Sequence, residues 1–237
     1  MASWTGASTV TVQQAKKQLR TRIASRLKRI PSDSVHAQCW NSANSLGHPH
    51  AAEAVLARLF ASPYWTSARS ISCFLSLPHS EIQTDSLIRH ALRDGKRIYV
   101  PFCPVDDKTV MRMVRLTDLD HFERLEANRW GIREVDPKEV ESLEDDSDPE
   151  GGLDLLIVPG LAFDPYRRRL GHGRGYYDRY INQYCLDYPR RFEGKKAPPR
   201  TVALALREQM VQADEEIPTN EWDRLPDSLI TPDGIYE

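Results

Sequence analysis

Arg167, Arg168 and Arg169 run into glycines at 171, 173 and 175, which alternate with His172 and Arg174, and Asp178 follows three positions later. Glycine at every second position lets backbone N–H groups approach an anion closely. Tyr177, Tyr180, Ile181, Tyr184 and Cys185 recur at the intervals of one helix face, so the spacing predicts a helix from Tyr176 onward. The loop therefore ends at a helix start, whose unpaired N–H groups and partial positive charge suit phosphate, as do Arg169 and Arg174. Asp178, in the first turn, can cap local charge or hold a metal. The spacing is neither GxGxxG nor GxxxxGKS/T, so neither nucleotide fingerprint explains it. On glycine spacing alone, a tight turn bearing solvated arginines is the preferred reading.

Two more cations stand at useful spacing. Lys16 and Arg20 are one helical turn apart and can grip one phosphate chain. His48 and His50 have no third ligand near them in sequence and read as loop residues, not as a metal site. No Ser/His/Asp or Cys/His arrangement stands out, so covalent catalysis by the protein is not expected.

The elements that must position these residues follow from the hydrophobic pattern. Val12, Ala15, Leu19, Ile23, Leu27 and Ile30 define one stripe of a first helix that Pro31 stops. Residues 32–46 and 51–60 read as two further helices. Residues 70–77 (SISCFLSL) read as a strand followed by a loop that carries Glu81. A helix from Thr84 to Gly95 and a strand at 97–101 complete a strand–helix–strand crossover. Residues 110–116 alternate as a half-exposed strand, and 118–127 as a short helix. Leu153, Leu155, Leu156, Ile157 and Val158 form a nearly unbroken apolar run ended by Pro159 and Gly160, as in a strand buried on both faces. Its C-terminal end should face the active cleft. Residues 201–206 and 229–231 supply later strands, and 232–234 turn the chain into Ile235 and Tyr236. The fold class is α/β: a single three-layer domain at 10–237, with a mostly parallel central sheet flanked by helices, after a disordered start at 1–9. Residues 134–150 hold nine acids against Lys138 alone and read as a mobile surface loop, continued to Gly152.

The chain has 237 residues, 40% hydrophobic and 28% charged, an ordinary balance for one large α/β domain, and no apolar run is long enough to span a membrane. A net charge of −2 argues against generic nucleic-acid affinity. The charge is uneven, since the first 32 residues hold seven Lys and Arg and no acid. Such a start also looks like a mitochondrial transit peptide, which is kept as the alternative to a cytoplasmic location. Cys39, Cys73, Cys103 and Cys185 are widely spaced, show no zinc pattern, and read as reduced thiols.

The string PGLAFD at 159–164, followed by RRLGHGRGYYDRY at 168–180, resembles the signature of the 5-formyltetrahydrofolate cyclo-ligase family, also called methenyltetrahydrofolate synthetases. The resemblance runs from Lys16 to Ile235. It takes in Lys16-Lys17-Gln18-Leu19-Arg20, then Phe74-Leu75-Ser76 with Glu81-Ile82-Gln83-Thr84. Asn128 to Ile132 and the pair Asp223 and Asp227 before Ile230-Thr231-Pro232 also match. The loop before Glu81 is one residue longer than the family's, Arg174 stands where Lys or Gly is frequent, and position 172, variable in the family, is His.

The resemblance implies ATP- and Mg²⁺-dependent conversion of 5-formyltetrahydrofolate to 5,10-methenyltetrahydrofolate. It assigns Lys16, Arg20, Arg169, Gly171, His172, Gly173, Arg174, Gly175 and Tyr177 to ATP. It assigns Leu77, Glu81, Trp130 and Tyr176 to folate, Asp178 and Asp223 to the metal, and the catalytic roles to Arg174 and Tyr176; Asp227 reads as structural. The expected partners are these small molecules alone, with no nucleic acid and no membrane, acting on a monomer. Because the Lys16–Arg20 element would be lost with a cleaved leader, the cytoplasm is the expected compartment.

Overall fold

The computed structural model describes residues 11–29, 51–78, 80–107, 109–146, 152–191, 197–212 and 214–237. The expected disordered start, the helix at 32–46, Cys39 and the two histidines at 48 and 50 lie outside them.

Seven strands form the main sheet in the order β11-β10-β9-β6-β1-β2-β3. They are β1 (Ser70–Cys73), β2 (Arg97–Phe102), β3 (Arg112–Leu116), β6 (Leu155–Val158), β9 (Arg200–Leu204), β10 (Ser228–Ile230) and β11 (Ile235–Tyr236). The five inner strands run parallel, and β3 and β11 close the two edges antiparallel. In register, Ser72 of β1 sits between Tyr99 of β2 and Leu156 of β6.

Alternate residues feed two cores, because successive side chains of a strand point to opposite faces. Ile71, Cys73, Leu155, Ile157, Val202 and Leu204 face one core with Val55, Leu56 and Leu59 of α2 (Ala51–Ala61) and Leu87, Ile88 and Ala91 of α4 (Asp85–Arg93). Leu156, Val158 and Ala203 face the other with Tyr180, Ile181 and Tyr184 of α6 (Tyr176–Arg191). The result is the expected three-layer α/β domain. From β1 the chain winds to β2 and β3; from β6 it winds the other way to β9 and β10. The point of reversal lies between β1 and β6, and in such sheets ligands are met there, beyond the C-terminal strand ends.

A third, smaller core holds the first helix. Leu19, Ile23 and Leu27 of α1 (Val12–Leu27) pack on Leu161, Ala162, Leu170, Val211 and Ile217. Thr11 caps this helix in a reciprocal box, accepting from the Gln14 N–H while the Gln14 side chain accepts from its own. Val12, expected in the apolar stripe, is exposed, and Lys16 is buried in its place. The stripe ends where the neighbouring surface becomes an aspartate.

Several boundaries differ from those expected. The strand at 70–77 stops at Cys73, because the Thr84 hydroxyl takes the Phe74 carbonyl at 2.7 Å and draws the chain out of the sheet. The helix expected at 118–127 is α5 (Leu119–Arg124), and its tail becomes a hairpin of β4 (Glu126–Ala127) with β5 (Arg133–Glu134). A second hairpin pairs β7 (Ala162–Phe163) with β8 (Arg169–Leu170). A short helix, α3 (Pro63–Ser67), precedes β1. The acidic stretch is fastened as far as Asp146: Arg112 bonds Glu141 and Asp145 at 2.9 and 3.0 Å, Arg115 pairs with Glu144, and Asp146 accepts from the Tyr180 hydroxyl. The stretch expected as a mobile loop therefore has partners as far as Asp146, two of them the arginines at 112 and 115 of β3. Residues 147–151 lie outside the described part. Among the described residues no helix is long and apolar enough to cross a membrane, and Cys73, Cys103 and Cys185 are free thiols.

Candidate active site

The sequence leaving β6 forms the β7–β8 hairpin, the glycine loop and α6 in succession. The Asp164 carboxylate is fully buried and holds the hairpin turn, accepting from the N–H groups of Tyr166 and Arg168, from Arg168 Nε at 2.7 Å and from the Ile217 N–H. Arg167, at a positive φ of 65°, donates to the Asp227 carbonyl. Two of the three consecutive arginines are therefore engaged in holding the turn. Only Arg169 faces the loop.

Arg169 is buried and bonds Asp178 at 2.6 Å and the Pro159 carbonyl at 3.2 Å, while its Nε has no partner among the described residues. Asp178 also accepts from the Arg224 backbone N–H at 3.0 Å. The preceding residue, Asp223, bonds Lys16 Nζ at 2.5 Å. One short turn thus joins Asp178 and Asp223, far apart in sequence, and links Arg169 of β8 to Lys16 of α1. Arg20 Nε completes the ring by donating to the Gly171 carbonyl at 2.8 Å. Asp178 Oδ2 and Asp223 Oδ1 have no hydrogen-bond partner among the described residues.

The glycine loop has the backbone form that its composition suggests. φ is positive at Gly173 (+106°) and Gly175 (+67°) and not at Gly171, His172 or Arg174, an alternation that turns successive N–H groups toward one concavity. Any side chain at these two positions would be strained. Arg174 is exposed and makes no ion pair among the described residues. His172 is exposed at the lip beside Arg20. Crowding by the protein, and next the Arg20 charge, lowers the pKa of its imidazole below 6.5.

The sequence leaving β1 builds the opposite wall. Glu81 is buried, accepts from the Leu77 N–H at 2.7 Å, and has its pKa pushed up to about 7 by burial, with the Leu77 bond pulling the other way. Gln83 ties the same loop by donating to the Leu77 and Glu81 carbonyls. The tip of the β4–β5 hairpin meets this loop: Gly131 (φ +79°) lies so close to Pro78 that a Cβ there would come within 2.6 Å of its ring. Asn128 shapes the tip by accepting from the N–H groups of Trp130 and Ile132. Trp130 is thereby held exposed beside the Leu77–Glu81 loop, with Arg129 stacked on its ring.

Tyr176 and Tyr177 open α6 between the two walls. Arg179 lies over the Tyr176 ring, 5.5 Å from its centre. Tyr177 packs against both large cores, and its hydroxyl is buried without a hydrogen-bond partner among the described residues. Burial raises its pKa far above 10, reinforced by Cys73, Cys103 and Glu81 and opposed by Arg169. The resemblance assigns Tyr177 to ATP; its hydroxyl is buried, with Cys73, Cys103, Glu81 and Arg169 among the groups acting on it.

Many of the residues expected to act together lie on the segments leaving β1 and β6: Lys16, Arg20, Arg169, Asp178 and Asp223 in one network, and Leu77 bonded to Glu81, with the hairpin tip that carries Trp130 meeting their loop through Gly131 and Pro78. The bond from Arg224 to Asp178 and the contact of Gly131 with Pro78 had no sequence signal. A separate hollow of about 500 Å³ behind the β4–β5 hairpin is lined by His121, Glu126, Glu134, Asp136 and Glu139 among others, and contains none of these residues. Its acidity is wrong for phosphate.

Known proteins carry the same arrangement of sequence. Residues 12–232 match the model of the 5-formyltetrahydrofolate cyclo-ligase family. A probable 5-formyltetrahydrofolate cyclo-ligase of Caenorhabditis elegans is 33% identical over 220 residues, 92% of this chain and 93% of the relative. The 5-formyltetrahydrofolate cyclo-ligase of Mus musculus is 29% identical over 225 residues, covering 95% and 97%. The NMR structure of Aquifex aeolicus 5,10-methenyltetrahydrofolate synthetase superposes with a TM-score of 0.62 over 94% of this chain and 92% of that one, at 23% identity, a likeness of fold. With the family model matched over nearly the whole chain, this protein belongs to the 5-formyltetrahydrofolate cyclo-ligase family of enzymes.

Proposed function

We propose that the chain converts 5-formyltetrahydrofolate to 5,10-methenyltetrahydrofolate, with ATP as phosphoryl donor and ADP and phosphate as co-products. The observation that carries this reading is the meeting, at one switch point, of a cationic glycine loop and a wall holding a buried carboxylate. Such a site serves an anion on one side and a flat, donor-rich ring on the other.

The formyl oxygen is amide-like and leaves poorly. In the proposed reaction it attacks the γ-phosphorus of ATP, and the bond from that phosphorus to ADP breaks. N10 then attacks the activated formyl carbon and loses its proton. The carbon–oxygen bond breaks last, phosphate departs with the former formyl oxygen, and the methenyl bridge joins N5 to N10. Phosphoryl transfer asks the protein for position and charge rather than for a nucleophile.

Arg169 and the N–H groups of Gly171 to Gly175 hold phosphates, with Lys16, Arg20 and His172 closing the nucleotide side. Arg174, the loop cation with no ion pair among the described residues, is placed to follow the charge on the moving phosphoryl group. Leu77, Glu81 and Trp130 receive the folate, and Tyr176 stands between the halves. Asp178 and Asp223 fit Mg²⁺, because each bonds a protein cation through one oxygen and keeps the other without a partner among the described residues, and this ion uses one or two carboxylates beside substrate phosphates. When bound there it would neutralise charge on the phosphate chain.

The test is growth of the near-ultraviolet absorbance of a methenyl-folate on mixing purified protein with 5-formyltetrahydrofolate, Mg²⁺ and ATP. Growth that needs ATP supports the proposal. No growth from folded protein that binds ATP contradicts it.

A further inference from the structure

Trp222 is 68% exposed, in a turn that is otherwise tightly held. The Asn220 N–H donates to Asp223 Oδ2 and the Trp222 N–H to Asn220 Oδ1, at 2.7 and 3.0 Å. The Asp223 N–H donates to the Asn220 carbonyl, and Asn182 of α6 donates to the Trp222 carbonyl at 3.0 Å. Arg224 adds its bonds to Asp178 and Asn182. A turn so fully bonded has little freedom, yet it presents its largest apolar group to water. The neighbour in sequence, Asp223, holds Lys16. One turn before Lys16 on the same face of α1, Val12 is also exposed, at 39%. Each partner of the ion pair that closes the nucleotide side thus has an exposed apolar neighbour, Trp222 next to Asp223 in sequence and Val12 one helical turn before Lys16.

We infer that the Trp222 indole is the stacking surface for the purine base of the nucleotide, an inference that rests on the nucleotide reading above. With the phosphates in the glycine loop and against Lys16, the nucleoside leaves the site beside the Lys16–Asp223 pair, where the indole stands. A base stacked on an indole is recognised by its face, which every base possesses. The turn's N–H groups at 220, 222, 223 and 224 and its carbonyls at 220 and 222 are already bonded within the protein, so those groups do not read the edge of the base. Stacking by itself favours ATP and GTP alike.

Calorimetric binding of ATP, GTP and inorganic tripolyphosphate, each with Mg²⁺, to the wild type, Trp222→Ala and Trp222→Phe tests this. The expected result is that Trp222→Ala weakens both nucleotides by about 5- to 160-fold, the range of a lost base stack, and leaves tripolyphosphate unchanged. Trp222→Phe should retain most of the affinity. Equal weakening of tripolyphosphate would overturn the inference, since the residue would then merely position Asp223. So would unchanged nucleotide affinity, including the case in which Trp222→Ala alters sedimentation instead and marks a contact between copies. A wild type that binds neither ATP nor tripolyphosphate would contradict the nucleotide site itself, and the inference with it.

Discussion

Replacing Glu81 by glutamine isolates the cost of keeping a carboxylate at the folate wall. The native pKa stands near 7 against an ordinary 4.5, chiefly because the group is buried. At about 1.4 kcal/mol per pH unit, ionising it in the native protein costs about 3 kcal/mol more than in the unfolded chain. Below 4.5 the group is protonated in both states and the penalty is absent. As the pH rises toward 7 the unfolded chain ionises while the native protein keeps its proton, so native stability falls; above 7 the loss is complete. Glutamine has no proton to lose and can still accept from the Leu77 N–H through its amide oxygen. Any cost of burying the amide N–H₂ is the same at every pH and cancels. Urea denaturation of the wild type and Glu81→Gln at about pH 4 and about pH 8 should therefore show the stability difference moving by about 3 kcal/mol in favour of the variant. Folate binding should weaken in the variant although its fold is firmer. Stability differences that are equal at the two pH values would refute the reasoning, because Glu81 would then not be held away from water.

Arg174→Ala should lower kcat for methenyl formation by about a hundred- to a thousandfold, as loss of one charge-stabilising donor does, with an unchanged thermal midpoint, since Arg174 makes no ion pair among the described residues; a kcat within a few-fold of wild type would remove its role. The His172 imidazole is held below its ordinary 6.5 by crowding and by Arg20, so any gain in ATP affinity from its positive charge should appear only as the pH falls below 6.5. KM for ATP measured against pH in the wild type and His172→Gln checks this, and a His172-dependent rise in KM between about pH 7 and 8 would contradict it. Asp164→Asn should destabilise the protein by about 3 kcal/mol or more, because the fully buried carboxylate holds Arg168 and three backbone N–H groups; a urea midpoint close to wild type would show that the hairpin does not depend on it.

The parallel strands were legible because burial on both faces leaves unbroken apolar runs such as 155–158, and α6 because its aromatic residues repeat at helical spacing. The glycine loop was legible because an alternating backbone conformation needs glycine at alternate positions. What could not be read was how distant segments close on one another. Nothing in the sequence around Asp164 separates its role from that of Asp178, yet one holds a turn and the other faces the loop. Lys16 lies on the stripe that buries Leu19 and Ile23, and only the position of Asp223 explains why a lysine stands there. The acidic stretch looked unpaired because its partners, Arg112 and Arg115, are on a strand some thirty residues earlier. Tyr177 carries a helical periodicity that says which face is buried but not that its hydroxyl finds no partner among the described residues.

In the proposed reaction the phosphoryl group passes to the formyl oxygen between the two walls of the switch point. Turnover of 5-formyltetrahydrofolate carrying a heavy-oxygen label in its formyl group, followed by phosphorus NMR of the products, tests this most directly. The account requires the label to appear in inorganic phosphate, one atom for each methenyl-folate formed. Label released into water, with unlabelled phosphate produced from ATP, would contradict it.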